Sequence, residues 1–349
     1  MASGGDAGDQ VRLKRDELTT LAIQVLQANG VSRADAEAAA EILVLADLFG
    51  ISTHGVDRLP SYTDRMHRGG IDPVAAIDIN RPAPSLVRVD GKNGLGPVVA
   101  QKALKACLAA ARETGVATAF IKGSNHFGPT LPYAYLAAQQ GFASIVASNA
   151  TTTIAPTGGS AARLGNNPLG MGIPNPSGDP IILDMAMSVV ARAKIRRAAA
   201  CGEAIPATWA TDKDGRPTTS PEAALDGFLL PIGGYKGYGL ALMVDLFAGL
   251  LSNAAYLTHV SSWVDAPESP QNLGHFFLCI DAARLGSQQW LGTAMQDFIA
   301  ILKDTPQAEP DHPVLLPGEI EMNAFRHNCE YGVGVAAKLL ERLKALAAK

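Results

Sequence analysis

The chain has 349 residues, of which 47% are hydrophobic and 18% are charged, and its formal net charge is −4. This composition is typical of a packed globular protein with two or three subdomains, and it excludes an intrinsically disordered chain. The small net charge gives no reason to expect a nucleic acid or an anionic membrane as partner. Residues 1–10 are small and polar without the apolar core of a signal peptide, so we expect a loose tail.

Both ends of the chain show helical periodicity. Apolar residues recur every three to four positions between residues 14 and 28. Ser32 is placed to cap a second helix over residues 33–48, and a third helix is predicted over about residues 58–67. A further amphipathic helix is predicted over residues 331–346. These helical ends are expected to pack together, with a second subunit as a candidate partner.

The middle of the chain alternates between strands and helices. Strands are predicted over residues 85–90, 116–122, 142–148, around 171, 181–183 and 275–280. Helices are predicted over residues 97–113, 132–140, 188–200, 237–251 and 288–303. The alternation predicts an α/β protein with a mixed sheet and helical N- and C-terminal segments.

The apolar stretches and the cysteines indicate where in the cell the protein is expected. The longest apolar stretch, residues 239–251, covers only about 13 positions and includes Asp245, too short to span a bilayer. The cysteines are scattered and form no C-x-x-C pair: Cys107, Cys201, Cys279 and Cys329. This pattern favours reduced thiols in a cytoplasmic protein over a disulfide framework, and no metal site is predicted.

The glycine motif of a dinucleotide-binding Rossmann domain is not found in its usual form. The nearest stretch, residues 94–99, lacks the third glycine. The acidic residue at about the expected distance, Glu113, fits the end of a helix better than the end of a strand. A phosphate-binding P-loop motif is also missing from the sequence, so neither nucleotide fold is indicated.

Residues 53–58 bring together groups suited to proton transfer beside an anion. His54 can exchange a proton near neutral pH, Thr53 adds a neighbouring hydroxyl, and Arg58 can bind an anion. In a helix that begins here, His54 and Arg58 would share a face. A capping threonine followed by a surface histidine is the alternative, and these residues alone leave it open.

Polar residues follow several predicted strands. Residues 124–130 come after the strand over 116–122, residues 148–151 follow the next strand, and residues 164–168 form a similar turn. Because ligands gather beyond the carboxyl ends of strands, we interpret residues 124–130 as part of a binding site. The alternative is a loop in which Ser124 and Asn125 only hydrogen-bond backbone groups. Asp184 could cap a helix near residue 188, orient a histidine or bind a ribose hydroxyl, and the sequence does not separate these roles.

Two glycine-containing turns complete the candidate segments. Residues 233–239 contain four glycines around Tyr235 and Lys236, just before a long apolar helix. Free N–H groups and a lysine at a helix N-terminus favour the binding of a phosphate or carboxylate. We therefore interpret this segment as an anion-binding site rather than as a flexible loop. Residues 316–319 form a tight turn whose role the pattern alone does not reveal.

Taken together, these segments resemble the type-2 malate/L-lactate dehydrogenase family. That family includes ureidoglycolate and sulfolactate dehydrogenases, diketogulonate reductase and the piperideine-2-carboxylate reductases. The resemblance extends over residues 18–346 and rests on six elements in order: 53–58, 124–126, 164–168, 184–186, 234–237 and 316–319. It implies an NAD(P)-binding fold that is not Rossmann-like and a homodimer with the active site near the subunit interface.

The resemblance also implies a role for each site residue. His54 is the implied acid/base, with Thr53 and Asp184 as supporting members of a proton relay. Arg58 is implied to hold the substrate carboxylate, and Asn166 to contact the substrate. The implied cofactor contacts are His126, Phe127, Gly128, Ala150, Asp184, Met185, Ala186, Tyr235, Lys236, Gly318 and Glu319. The sequence departs from the family pattern at Thr53 (usually serine), Asn166 (threonine) and Ala193 (often glycine).

The implied reaction is hydride transfer between NAD or NADP and C2 of a small 2-oxo or 2-hydroxy carboxylic acid. Reduction of cyclic imino acids is the nearest alternative, and a catalytically silent dimeric binding protein is an alternative of another class. Three regions are predicted. Residues 10–75 with 315–349 are helical and dimer-forming, 76–120 with 285–314 form a linking α/β region, and 121–284 form the cofactor-binding domain.

Overall fold

Helices occupy both ends of the chain and strands its middle in the computed structural model, which describes residues 10–348. The helices are α1 (Arg15–Ala28), α2 (Arg33–Leu48), α3 (Leu59–His67), α4 (Gly96–Thr114), α5 (Leu131–Gln139), α6 (Arg192–Cys201), α7 (Pro221–Asp226), α8 (Tyr235–Val244), α9 (Gln288–Lys303), α10 (Glu319–Tyr331) and α11 (Ala337–Ala347). The strands are β1 (Gln10–Leu13), β2 (Asp78–Ala83), β3 (Leu86–Asp90), β4 (Val116–Ser124), β5 (Phe142–Ser148), β6 (Thr152–Ile154), β7 (Leu164–Gly165), β8 (Leu169–Ile173), β9 (Ile181–Met185), β10 (Leu273–Asp281) and β11 (Val333–Ala336).

A mixed sheet of seven strands forms the centre of the molecule, in the order β2-β3-β4-β10-β5-β8-β9. Within it β3 and β4 are parallel, and the other neighbours are antiparallel. The predicted α/β fold with a mixed sheet is therefore confirmed. β10 lies between β4 and β5 and is antiparallel to both. The last residues of β4 and β5, Ser124 and Ser148, therefore lie at the same edge of the sheet.

Apolar helix faces cover the sheet and each other. α4 turns Val99, Leu104 and Leu108 toward β4 and β10, where they join a cluster with Ile121 and Phe277. Complete burial of such a side chain contributes roughly 1.5–3 kcal/mol. Their spacing along α4 is the helical one that the sequence predicts.

The two ends of the chain pack together, as the sequence predicts. Leu18 and Leu26 of α1, Leu43 of α2 and Leu340 of α11 belong to one buried cluster. β1 also pairs antiparallel with β11. Gln10 is part of that pairing, opposite Ala336, so the predicted tail is wrong for this residue, while residues 1–9 and 349 lie outside the described residues.

The single helix predicted over residues 331–346 is wrong in its first part. Gly332 adopts a φ of +86°, which ends α10 and favours glycine. The next four residues form β11, and α11 begins only at Ala337. Val333 and Val335 are buried and alternate with more exposed residues, as in a strand. Over only four residues this pattern is also compatible with a helix, so the sequence did not distinguish the two.

The apolar stretch over residues 239–251 lies in α8 and in the π-helix Asp245–Leu250 that continues it. Five large apolar side chains of this stretch are exposed, Leu251 among them. The other four are spaced three or four residues apart and are here called the apolar stripe: Leu240, Met243, Phe247 and Leu250. Within residues 10–348, none of the helices has both the length and the apolar composition required to cross a bilayer.

Candidate active site

Two short turns between α2 and α3 bring the predicted proton-transfer groups together. They are the 3₁₀ turns Ser52–His54 and Val56–Arg58. Thr53 Oγ1 lies 2.9 Å from His54 Nδ1, and Arg58 Nε donates to the Thr53 carbonyl oxygen at 2.7 Å. The hydroxyl, imidazole and guanidinium therefore belong to one hydrogen-bonded loop rather than to one face of a helix.

The half-buried His54 lies at the edge of a cluster of aromatic rings. Its ring centroid lies 5.5 Å from that of His126, whose Nδ1 is 2.7 Å from Tyr62 Oη, and the Trp263 ring lies 5.6 Å from His126. Burial, with the positive charge of Arg58 as the second cause, lowers the pKa of His54 to about 4. The imidazole is therefore neutral near pH 7, which is the form that accepts a proton.

Asp47 of α2 holds this loop in place through a hydrogen bond to its backbone. Its Oδ2 accepts the Val56 N–H at 2.8 Å, and its side chain is buried. The carboxylate lies so close to Gly55 that a Cβ there would come within 2.0 Å of Oδ1. Burial raises the pKa of Asp47 to about 8. Sequence reasoning missed this residue, although an aspartate inside an apolar helical run was a detectable signal.

Asp47→Asn is expected to flatten the pH dependence of stability. The pKa of Asp47 rises from 3.8 to about 8 on folding, so between these values the folded chain holds a proton that the unfolded chain has released. The free energy of unfolding contributed by this group therefore falls as pH rises, by up to about 1.4 kcal/mol per pH unit. Asparagine keeps an acceptor for Val56 and cannot ionise. Denaturant unfolding of both proteins between about pH 5 and pH 8 measures the difference, and parallel curves would contradict the assignment.

The segments after β4 and β5 lie at the same sheet edge. His126, Phe127 and Gly128 follow β4, and Ala150 follows β5. The Ala150 N–H donates to Asn167 Oδ1 at 3.0 Å, and Asn167 Nδ2 donates to the carbonyl oxygen of Ala241 in α8 at 2.8 Å. Asn167 thus ties the loop after β5 to α8.

The structure places Asn166 beside the segment that follows β9. Asn166 is half-buried, and its carbonyl oxygen accepts the Met187 N–H at 2.8 Å. Met185 and Ala186, also half-buried, come directly before Met187. Two predicted segments, 164–168 and 184–186, are therefore neighbours. Contact of Asn166 with a substrate stays a prediction.

Asp184 caps a helix, but a different one from that considered in the sequence. Its carboxylate accepts from Thr130 Oγ1 at 2.6 Å and from the Leu131 N–H at 3.1 Å, at the start of α5. Burial raises its pKa. The predicted helix near residue 188 begins only at Arg192, so capping there is wrong. Within residues 10–348 no hydrogen bond joins Asp184 to His54, and its relay and cofactor roles stay predictions.

The two glycine-containing turns lie in different surroundings. Tyr235 and Lys236 form the exposed start of α8. Gly318 has a φ of +82°, and a Cβ there would come within 2.6 Å of the Ile182 carbonyl oxygen in β9. Glu319 accepts from Lys303 Nζ at 2.7 Å. The 316–319 turn is therefore packed next to the strand that carries Asp184.

Two surface clefts lie elsewhere in the molecule. One, of about 660 Å³, is lined by α1, α2 and α4. The other, of about 600 Å³, is lined by α1 and the end of the α11 region. None of the predicted site residues lines either cleft, so the polar cluster around His54, and not cavity size, locates the candidate site.

Known proteins with similar sequences and structures cover almost the whole chain. The sequence model described as malate/L-lactate dehydrogenase matches residues 13–344. A malate dehydrogenase from Pyrococcus abyssi is 35% identical over 97% of this chain and 94% of its own length. A Delta(1)-pyrroline-2-carboxylate reductase from Ancylobacter novellus is 34% identical over 97% of this chain and 98% of its own. The solved structure of sulfolactate dehydrogenase from Methanocaldococcus jannaschii superposes with a TM-score of 0.89, 33% identity and 97% coverage of both chains.

Proposed function

The chain belongs to the malate/L-lactate dehydrogenase family, and on this premise we propose that it transfers a hydride between NAD or NADP and C2 of a 2-oxo or 2-hydroxy carboxylic acid. The observation that carries the proposal is the hydrogen-bonded loop in which a neutral His54 lies beside Thr53 and Arg58. Such a loop supplies a proton acceptor and a cation for a carboxylate, the two groups that this reaction requires of the protein.

We propose one task for each side chain of the loop, in keeping with its hydrogen bonds. With its proton on Nδ1, His54 donates to Thr53 Oγ1, and Nε2 is left to accept the proton of the substrate hydroxyl as the C2 hydride departs. In the reverse direction Nε2 returns a proton to the carbonyl oxygen. Arg58 holds the substrate carboxylate beside the imidazole. NAD or NADP, when bound, accepts or supplies the hydride.

The start of α8 fits the phosphates of a dinucleotide. Gly233 and Gly234 have φ values of +55° and +62°, which favour glycine and let a ligand approach the backbone. The first N–H groups of α8 lack intrahelical acceptors, and Lys236 adds a positive charge beside them. We propose a cofactor site of a non-Rossmann type. In support, the sheet has one parallel pair, whereas a Rossmann sheet is mostly parallel.

We further propose that the chain acts as a homodimer. The apolar stripe supports this, because its four side chains are 38% to 48% exposed, and contiguous exposed apolar patches mark protein interfaces. The three regions defined above are proposed as the domain organisation. The apolar stripe lies in the region over 121–284, so we propose that the cofactor-binding domain contributes to the dimer contact together with the terminal helices of residues 10–75 and 315–349. A cytoplasmic location is proposed because the described cysteines are all free thiols.

Charged substitutions on the apolar stripe are expected to weaken the dimer. Met243→Lys and Leu250→Lys together would place two like charges against their symmetry copies, and we expect dissociation to become at least about tenfold easier. Leu285→Lys is the control, since Leu285 is 69% exposed outside the stripe. Analytical ultracentrifugation over a range of concentrations measures the effect. A dimer unaffected by the double substitution would exclude this surface.

The activity itself is tested with a substrate panel. Pyruvate, oxaloacetate and piperideine-2-carboxylate are each assayed with NADH and NADPH by nicotinamide absorbance. We expect turnover of a 2-oxo acid. Turnover of the cyclic imine alone would favour the reductase alternative, which the similarity to a pyrroline-2-carboxylate reductase supports. Failure of both cofactors to raise the melting temperature would favour the silent binding protein, since a ligand that binds only the native state stabilises it.

A further inference from the structure

A buried imidazole joins two strands that are not neighbours in the sheet. His275 lies on β10, between the ends of β4 and β5, and has no exposed surface. Its Nε2 lies 2.8 Å from Ser124 Oγ, and its Nδ1 lies 2.8 Å from Ser148 Oγ. Ser124 is the last residue of β4, and Ser148 is the last residue of β5. His275 therefore bridges the two strand ends at the edge where ligands gather.

The hydrogen bonds around the bridge select one tautomer. Ser148 Oγ donates to the Asn149 carbonyl oxygen at 2.8 Å, so it accepts from Nδ1–H of His275. The other acceptor near Ser124 Oγ, the Asn125 carbonyl oxygen, is 3.4 Å away, so this hydroxyl donates to Nε2. Burial lowers the pKa of His275 to about 3, which keeps the ring neutral. An apolar residue here would leave Ser148 Oγ without the donor it accepts from, and Ser124 Oγ with no acceptor closer than the Asn125 carbonyl oxygen at 3.4 Å.

The same imidazole also fixes an aromatic ring in the loop after β4. Phe127 stacks on His275 with ring centroids 4.3 Å apart and planes inclined by 10°. Phe127 also stacks on Tyr133, whose hydroxyl donates to the Phe127 carbonyl oxygen at 2.6 Å. The residue before Phe127 is His126, whose ring faces His54. A displacement of His275 would therefore reach the segment beside the proposed acid/base.

We propose that His275 is a positioning residue for the nicotinamide cofactor. It acts through Ser124, Phe127 and Ser148, and it holds residues 126–128 and Ala150 at a fixed separation so that both segments contact one cofactor molecule. This inference rests on the proposed function, which assigns these segments to the cofactor. His275 is fully buried, so it orders the loops that bind the cofactor without touching it.

The bridge can be dismantled one hydrogen bond at a time. Ser124→Ala and Ser148→Ala each remove one hydroxyl, and His275→Phe keeps a ring for Phe127 to stack on but removes both hydrogen bonds. Ser144→Ala is the matched control. Ser144 is a buried serine on the same strand as Ser148, and its hydroxyl has no hydrogen-bond partner within the described structure.

The dissociation constants of NADH and NADPH, measured by fluorescence titration, are the main readout, with melting temperature and the KM for the carboxylate substrate alongside. We expect Ser148→Ala and Ser124→Ala to weaken cofactor binding about tenfold each, and His275→Phe to weaken it further. KM at saturating cofactor should stay within about twofold, and Ser144→Ala should match the parent. A role in the core alone would lower the melting temperature without changing the dissociation constant.

The outcomes separate this inference from the proposed function. If the parent binds cofactor and both serine variants bind it as tightly as Ser144→Ala, the positioning role is overturned and the proposed function is untouched. Equal losses in all variants, including Ser144→Ala, would overturn it as well. A parent that binds neither NADH nor NADPH would overturn the proposed function, and the inference with it. The serine variants decide the matter even if His275→Phe does not fold.

Discussion

His54→Gln is expected to lower kcat by about 10²–10⁴-fold, the range that a positioned acid/base contributes. Glutamine can still hydrogen-bond but cannot exchange a proton, so binding should survive while the chemical step slows. Stopped-flow or steady-state turnover gives kcat, and cofactor titration gives the dissociation constant. His67→Gln is the control, because His67 is an exposed histidine at the end of α3. Normal turnover in His54→Gln with intact cofactor binding would remove His54 from the mechanism.

The pH profile of the parent enzyme gives a second view of His54. Because burial and Arg58 lower its pKa to about 4, the neutral base form persists well below the usual range of histidine, whose ordinary pKa is 6.5. The rate of hydroxy-acid oxidation should therefore stay level as pH falls to about 5 and decline only as the pH approaches 4. A decline centred near pH 6.5 would indicate an imidazole that is not shielded from water.

Arg58→Gln is expected to lower kcat/KM for carboxylate substrates by about 30-fold or more, corresponding to a loss of at least about 2 kcal/mol for a desolvated charge pair. It should also raise the pKa of His54, because the Arg58 charge is one of the causes that lower it. The acid limb of the oxidation profile would then move to higher pH.

Two further variants separate the roles of Arg58. Arg58→Lys keeps the charge but loses the Nε bond to the Thr53 carbonyl oxygen, so it should retain part of the carboxylate affinity. Arg68→Gln is the control, since Arg68 is an exposed arginine that pairs with Asp64 on the surface. A kcat/KM that is the same in Arg58→Gln and in the parent would argue against a carboxylate clamp.

The sequence predicted those elements whose ends have local chemical signals. α2 and α9 run over the predicted residues 33–48 and 288–303, because Ser32 and Ser287 cap them with their side chains. β5 also matches its prediction, since an apolar run bounded by polar residues marks a buried strand. The family resemblance, drawn from six short segments, is confirmed by the match over residues 13–344.

Elements and contacts that depend on distant parts of the chain could not be predicted from the sequence. β11 exists because β1, at the opposite end of the chain, supplies its hydrogen bonds. Asp184 caps α5, which precedes it in the chain, and no local pattern points there. Asp47 and His275 stand out in the sequence as polar residues in apolar runs, but their partners, Val56, Ser124 and Ser148, appear only once the fold brings them together.

The reaction we propose for this chain is hydride transfer between the nicotinamide ring and C2 of a carboxylic acid substrate. The most direct measurement uses reduced cofactor that carries deuterium at both C4 positions of the nicotinamide, so that either face transfers the label, followed by mass and NMR analysis of the product. We expect one deuterium at C2 of the 2-hydroxy acid, formed in step with cofactor oxidation. A product without deuterium at C2, or oxidation of the cofactor without reduction of any 2-oxo acid, would contradict it.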